Sequence, residues 1–231
     1  MLKYPTMKKL FIISFVAALL AACVTQHRAD DPMIRAKVLA QETILEKRIP
    51  TLDPKVLRLA LLAYYHARAT GLDPQEELTI IDFSKPDTQE RFWVVDLRHD
   101  KVQYHSLVSH GENSGGVAPT EFSDEVDSKE SSIGLFKTGK PYKGTLGYSL
   151  HLYGLEKGVN GNAFKRHIVI HGAPYVSKQY VHAHGFLGRS WGCPALPEKL
   201  VKPVINTIKN GSLIFAYYPD SDWLHHSRYL N

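Results

Sequence analysis

Cysteine is nearly absent from this chain of 231 residues, which holds only Cys23 and Cys193. Cys23 stands at the end of an N-terminal apolar segment, so Cys193 has no partner left and a disulfide framework is excluded. A lone cysteine is either a small buried hydrophobe or a nucleophile. Long apolar runs are also missing. The one candidate, Leu10 to Ala22, falls well short of the roughly 20 residues that a spanning helix needs. There is no dense Lys/Arg cluster beyond that segment, which removes the electrostatic footprint of nucleic-acid binding. Repeats, heptads and low-complexity stretches are absent too, which excludes solenoids, coiled coils and disordered tracts.

What is present at the N-terminus reads as an export signal. Lys8 and Lys9 precede the apolar run, which ends in Leu20-Ala21-Ala22-Cys23. Cleavage before Cys23 would remove Lys3, Lys8 and Lys9 and no acid, lowering the formal charge from +5 to +2. The Leu-Ala-Ala-Cys string resembles a bacterial lipobox. That resemblance implies a lipid anchor at Cys23, holding the protein on a membrane without spanning it. Val24 in place of aspartate then favours an outer membrane, with the protein facing the periplasm.

The mature chain is long enough for one sizeable core. Residues 1–22 are expected as signal peptide, 23–32 as tether, 33–76 as a helical extension, 77–220 as the main domain and 221–231 as a tail. In the extension, Ile34, Val38, Leu45 and their neighbours have helical spacing. Asp53-Pro54 has the chemistry of a helix start, and Gly71 that of a stop. From Leu78 the pattern turns to strands, expected at 78–83, 91–97, 102–109, 133–137, 148–153, 167–170 and 213–217. Residues 110–132 read as a long polar loop and 197–209 as a helix that Pro203 kinks or starts. Strands in the centre and helices at both ends predict an α+β fold on a mixed or antiparallel, sandwich-like sheet, with a C-terminal helix.

The chemistry concentrates around Cys193. A thiol at its free pKa is mostly protonated near neutrality, so an acyl-transfer cysteine needs a base within reach. His171 follows the β-branched run Ile168-Val169-Ile170, a rigid element that can aim a base. Gly172 has a carbonyl to fix the imidazole tautomer. Backbone N–H groups around Gly192 and Cys193 can face a developing oxyanion, with glycine leaving room for it. Metal binding is disfavoured. On a strand, His167 and His171 would be roughly 13 Å apart at about 3.3 Å per residue. His182 and His184 are expected as loop residues, although on a strand they could share an ion.

His171-Gly172-Ala173-Pro174-Tyr175 and Gly188-Arg189-Ser190-Trp191-Gly192-Cys193-Pro194-Ala195 resemble the L,D-transpeptidase (YkuD-like) catalytic domain, in its murein branch. Ser131-Ser132-Ile133-Gly134, Tyr142-Lys143-Gly144 and Gly147-Tyr148-Ser149-Leu150 extend the resemblance, which runs from about Leu78 to Tyr217. It implies a β-sandwich-like fold and a cysteine acyltransferase acting on peptidoglycan stem peptides, with no cofactor. Cys193 would be the nucleophile and His171 the base. Gly172 would orient the imidazole, and Ser190 and Gly192 would shape the oxyanion site. Two departures bear on substrate choice: Pro194-Ala195 stands where an arginine is usual, and Trp191 where histidine is common. Arg189 or Arg166 is the candidate cation for a substrate carboxylate. Trp191, His110, Tyr153 and His184 are candidate cleft residues; Tyr142, Tyr148, His151 and Tyr153 could stack on sugar or peptide, with core packing the expectation for at least half of these four. A carboxypeptidase trimming the same stems, or a lipoprotein that binds peptidoglycan without turning it over, are the alternatives. No protein partner can be named from the sequence.

Overall fold

A computed structural model describes residues 31–72 and 75–231. The signal segment, Cys23 and most of the tether lie outside the described residues. Two helices come first, α1 (Pro32–Arg48) and α2 (Pro54–Ala69). Each starts on an Asp-Pro pair: Asp31 accepts from the Met33 N–H at 2.8 Å and Asp53 from the Lys55 N–H at 2.7 Å. Proline at the first turn loses nothing, because that N–H has no intrahelical acceptor.

The strands are β1 (Glu77–Asp82), β2 (Phe92–Asp96), β3 (Lys101–Ser106), β4 (Gly134–Gly144), β5 (Gly147–Gly154), β6 (Val169–Ala173), β7 (Ala195–Pro197) and β8 (Leu213–Tyr217). They join in one eight-stranded sheet of order β3-β2-β1-β8-β4-β5-β6-β7. Pairing is antiparallel except at β1–β8 and β6–β7. The fold is therefore α+β on a mixed, mainly antiparallel sheet. Helix α3 (Lys178–His184) precedes β7, α4 (Glu198–Ile208) follows it, and α5 (Ser221–His226) closes the chain.

Side-chain alternation gives the sheet two faces with different cover. Leu213, Phe215 and Tyr217 of β8 join Leu78, Ile80 and Trp93 under α1 and α2. Ile214 and Ala216 point the other way, into a core with Phe92, Val94, Leu150, Leu152, Ile170 and α4 residues Val204, Ile205 and Ile208. Strands from both ends of the sheet share that second core, so the sheet curls on itself in a nearly barrel-like way. Past β4 the first face loses the cover of α1 and α2; around Ala173 and Ala195 it is packed by Leu107, Val176, Leu187 and Val181 of α3, and the β4–β5 part stays open. His151, Val169, His171 and Ala195 lie on that half of the face, by register with neighbours of known side.

Strand β4 runs seven residues beyond the expected Lys137, to Gly144. Pro141 is accommodated where the β4–β5 register shifts between Thr138 and Pro141, a bulge that spares the ladder an N–H. Pro203 likewise sits inside α4 without ending it.

Residues 221–231, set apart above as a tail, are packed into the first core. Trp223, Tyr229 and Leu230 are buried there. Buried Glu156 accepts from the Trp223 Nε1–H at 3.1 Å, the Ser227 hydroxyl at 2.5 Å and the Leu135 N–H at 2.8 Å. The His66 ring N–H donates to the Tyr229 carbonyl at 2.8 Å, tying the C-terminus to α2. The three anchoring residues are spread among polar and charged neighbours, so no apolar run marks the segment in the sequence. The helical extension shares the same core, so neither segment is separate from the main domain. Replacing Glu156 with leucine should strand three buried donors and cost about 3 kcal/mol or more of unfolding free energy. Chemical denaturation of the two proteins measures this, and an unchanged midpoint would reject the anchoring role.

Candidate active site

His171 lies at the centre of β6 rather than at its end. Alternation turns Ile170 into the α4 core and His171 onto the opposite face. The His171 Nδ1–H donates to the Gly172 carbonyl at 3.0 Å, since a carbonyl can only accept. That bond leaves the Nε2 lone pair free. Burial pushes the imidazole pKa below its ordinary value, with the Gly172 bond acting the other way, so the ring is a neutral base near pH 7.

Cys193 sits two residues before Ala195, the parallel register partner of His171. The nucleophile candidate thus lies in the turn leading into β7, the strand paired with the one that carries the base. The turn that delivers Cys193 is held tightly. Gly192 adopts φ +107°, the Ser190 hydroxyl donates to the Cys193 carbonyl at 2.6 Å, and the Ser131 hydroxyl donates to the Gly192 carbonyl at 3.3 Å. The Cys193 sulfur accepts from the Val169 N–H at 3.4 Å, and its own S–H faces the His167 carbonyl at 3.6 Å. No hydrogen bond joins thiol and imidazole among the described residues, so the sulfur must swing from His167 toward Nε2 to give up its proton. Burial raises the thiol pKa to about 11, against smaller downward pulls from the Val169 N–H and the Arg166 guanidinium. The resting pair is a neutral thiol and a neutral imidazole.

The other expected residues separate sharply. The Gly192 N–H donates to the Ser190 hydroxyl at 3.2 Å, so it is not free for an oxyanion. The Cys193 N–H, in contrast, donates to no acceptor among the described residues. Arg189 is not a spare cation: it pairs with buried Asp87 at 2.6 Å and donates to the Gly116 carbonyl at 2.6 Å. Arg166 is equally committed, to the carbonyls of Ser123 and Glu130 and the hydroxyls of Ser128 and Ser132. These bonds hold the 123–132 loop against Gly192. Both arginines looked free in the sequence because their acceptors are far away along the chain.

His110 is not a cleft residue. It is fully buried; its Nδ1 accepts from Arg91 at 2.8 Å and its Nε2–H donates to the Gly115 carbonyl at 3.3 Å. Burial and the neighbouring Arg91 and Arg189 push its pKa down to about 3, so it remains neutral. Its carbonyl receives the Ser190 N–H at 3.1 Å, making it part of the shelf beneath the nucleophile turn. Trp191 is 71% exposed beside Cys193, with the Lys129 ammonium 4.9 Å over its ring. Tyr153 stands on β5, away from the turn. His182 and His184 lie on α3 rather than in a loop, and a two-residue step there turns the side chains roughly 200° apart, so they cannot share an ion. His184 stacks on Tyr180 and its Nδ1–H donates to the Tyr180 carbonyl at 3.0 Å, so it is committed within α3. Sequence reasoning missed Asp87, Arg91 and the Val169 N–H; a carboxylate, a guanidinium and a backbone group carry no local signal of this kind. Ser131 was visible only as part of a motif.

The sequence profile of the L,D-transpeptidase catalytic domain matches residues 48–217. Solved structures with related chains include an L,D-transpeptidase from Mycobacterium smegmatis, at 16% identity and TM-score 0.38, over 62% of this chain and 59% of that one. The cell-shape determining protein Pgp2 from Campylobacter jejuni, as its K307A mutant, aligns at 11% identity and TM-score 0.42, over 65% and 49% of the two chains. An L,D-transpeptidase from Stackebrandtia nassauensis aligns at 12% identity and TM-score 0.38, over 77% and 76%. No curated protein matches this chain.

Proposed function

Because this chain belongs to the L,D-transpeptidase catalytic-domain family, we propose that it is a cysteine acyltransferase that remodels peptidoglycan stem peptides through a thioester on Cys193. The observation that carries the reading is the free Nε2 of a neutral, tautomer-fixed His171 on the strand paired with the one leading from Cys193. In the first step, the S–H proton passes to Nε2 as sulfur bonds to the stem-peptide carbonyl carbon. The carbonyl oxygen takes the negative charge, opposite the unpaired Cys193 N–H. Collapse breaks the C–N bond. The departing amine of the terminal D-residue takes the proton from the imidazolium, leaving the thioester. In the second step, an acceptor amine attacks the thioester and its proton goes to His171. Sulfur leaves and is reprotonated. Water in place of the amine gives trimming instead of cross-linking.

Export and a lipid anchor at Cys23 are part of this proposal. They would place the enzyme at the outer membrane facing the periplasm, where its substrate lies. The test is a carbapenem, which reports acyl transfer without an acceptor. The expected result is one covalent adduct per chain by intact-protein mass, absent in Cys193→Ala. Incubation with a disaccharide tetrapeptide should then give dimers linked between diamino acids. Shortened stems alone would assign the hydrolase, and no adduct and no product would end the acyltransferase reading.

A further inference from the structure

The open part of the sheet face carries a pile of aromatic rings on the β4–β5 hairpin, apart from the nucleophile turn. The Tyr153 ring covers Gly139, where a Cβ would come within 2.6 Å of it. Phe164 lies parallel on Tyr153, with ring centroids 4.8 Å apart. Tyr142 and His151 form a second parallel pair at 4.2 Å, and Phe164 leans on His151 at 5.4 Å. The rings are ordered by one another, yet Phe164 remains 48% exposed and Tyr153 41% exposed. Apolar surface held rigid and left in water marks a contact surface, and its order is already established before a ligand arrives.

Register places this pile relative to the chemistry. His151 pairs with Val169, whose N–H is bonded to the Cys193 sulfur. The ring-bearing strand β5 and the sulfur therefore flank β6 on its two sides, within roughly 10 Å of each other at about 4.8 Å per strand. The charge of the β4–β5 hairpin has one sign. Lys137 pairs in register with Tyr153, Lys140 stands exposed in the β4 bulge, and the whole hairpin from Gly134 to Gly154 contains no Asp or Glu.

We propose that this face binds the glycan strand from which a carboxylate-bearing stem peptide hangs, holding the polymer while Cys193 acts on the stem. Sugar rings present flat C–H faces that lie on aromatic rings, which a flexible peptide does not. The lysines complement the stem carboxylates and act over about 10 Å at 0.1 M salt. The inference rests on the acyltransferase reading and adds to it a polymer-binding surface outside the acyl-transfer centre.

The experiment is co-sedimentation of the full-length protein with purified sacculi over a salt series, with carbapenem acylation of Cys193 measured in parallel. Phe164→Ala should weaken sacculus binding about tenfold at every salt concentration, and Lys140→Gln should weaken it at low salt only. Both variants should be acylated by the small carbapenem at the wild-type rate. Wild-type retention of either variant's sacculus binding, with acylation intact, would overturn the proposal. Should Phe164→Ala lose acylation through misfolding, Lys140→Gln and the salt series decide: binding indifferent to both rejects the surface. A wild-type protein that binds sacculi in the expected salt-dependent way but never forms an adduct would sink the acyltransferase reading and leave this surface standing. One that is acylated yet not retained would do the reverse.

Discussion

Alkylation of Cys193 by iodoacetamide should be slow at neutral pH and should rise about tenfold per pH unit toward a midpoint near 11. At pH 8 a thiol with that midpoint is about 0.1% thiolate, roughly a hundredfold less than an exposed cysteine near its ordinary pKa. The cause is desolvation: the sulfur is buried, and a thiolate there loses water and gains only the Val169 N–H and the charge of Arg166. Arg166→Gln removes that charge and should move the midpoint higher still, while Arg166→Lys should hold it closer to the wild type. The same shift enters stability. The folded state prefers the protonated thiol, so its contribution is complete below the unfolded pKa of about 9 and is lost as pH rises through 11, roughly 3 kcal/mol in all. Carbapenem acylation should not follow the alkylation curve, because His171 takes the proton as the bond forms. A flat alkylation profile between pH 6 and 9 would mean a preformed thiolate–imidazolium pair and would sink the neutral resting state.

The second large effect belongs to Gly192. Replacing it with alanine should abolish measurable carbapenem acylation and lower unfolding free energy by about 2–4 kcal/mol. Its φ of +107° is left-handed territory that side chains resist. A Cβ there would stand 2.5 Å from the Glu130 carbonyl oxygen, 3.0 Å from Ile168 Cδ1 and 3.3 Å from Arg166 Nη2. A carbonyl on a loop pinned by Arg166 cannot easily retreat, so the nucleophile turn must move instead. Gly158 is the control. It also has positive φ, at +81°, but nothing lies within 4 Å of its would-be Cβ. Gly158→Ala should cost about 1 kcal/mol of backbone strain and leave acylation intact. Thermal melts and adduct mass separate the two, and a Gly192→Ala protein acylated at the wild-type rate would remove the turn from the mechanism.

Local chemistry was legible wherever neighbours in sequence decide the outcome. The Asp53-Pro54 start of α2, the β-branched strands β1, β2 and β8, and the Cys193 and His171 motifs could all be read directly. Longer reach defeated the reading. Strand β4 runs past Pro141 to Gly144 because the bulge that absorbs the proline depends on β5. The last eleven residues looked detached because Glu156 and His66, which hold them, lie 71 and 163 residues away.

The chain by itself determined that a lone thiol, a histidine on a rigid strand and a glycine turn are available, since composition and short-range pattern suffice for that. Only the tertiary structure decided how they are used. It placed Cys193 opposite Val169 rather than in contact with the imidazole, and committed Arg166, Arg189 and His110 to loops and shelf. Hydrogen-bond acceptors and desolvation are contributed by distant segments, and a residue's partners, more than its type, fix its charge and freedom.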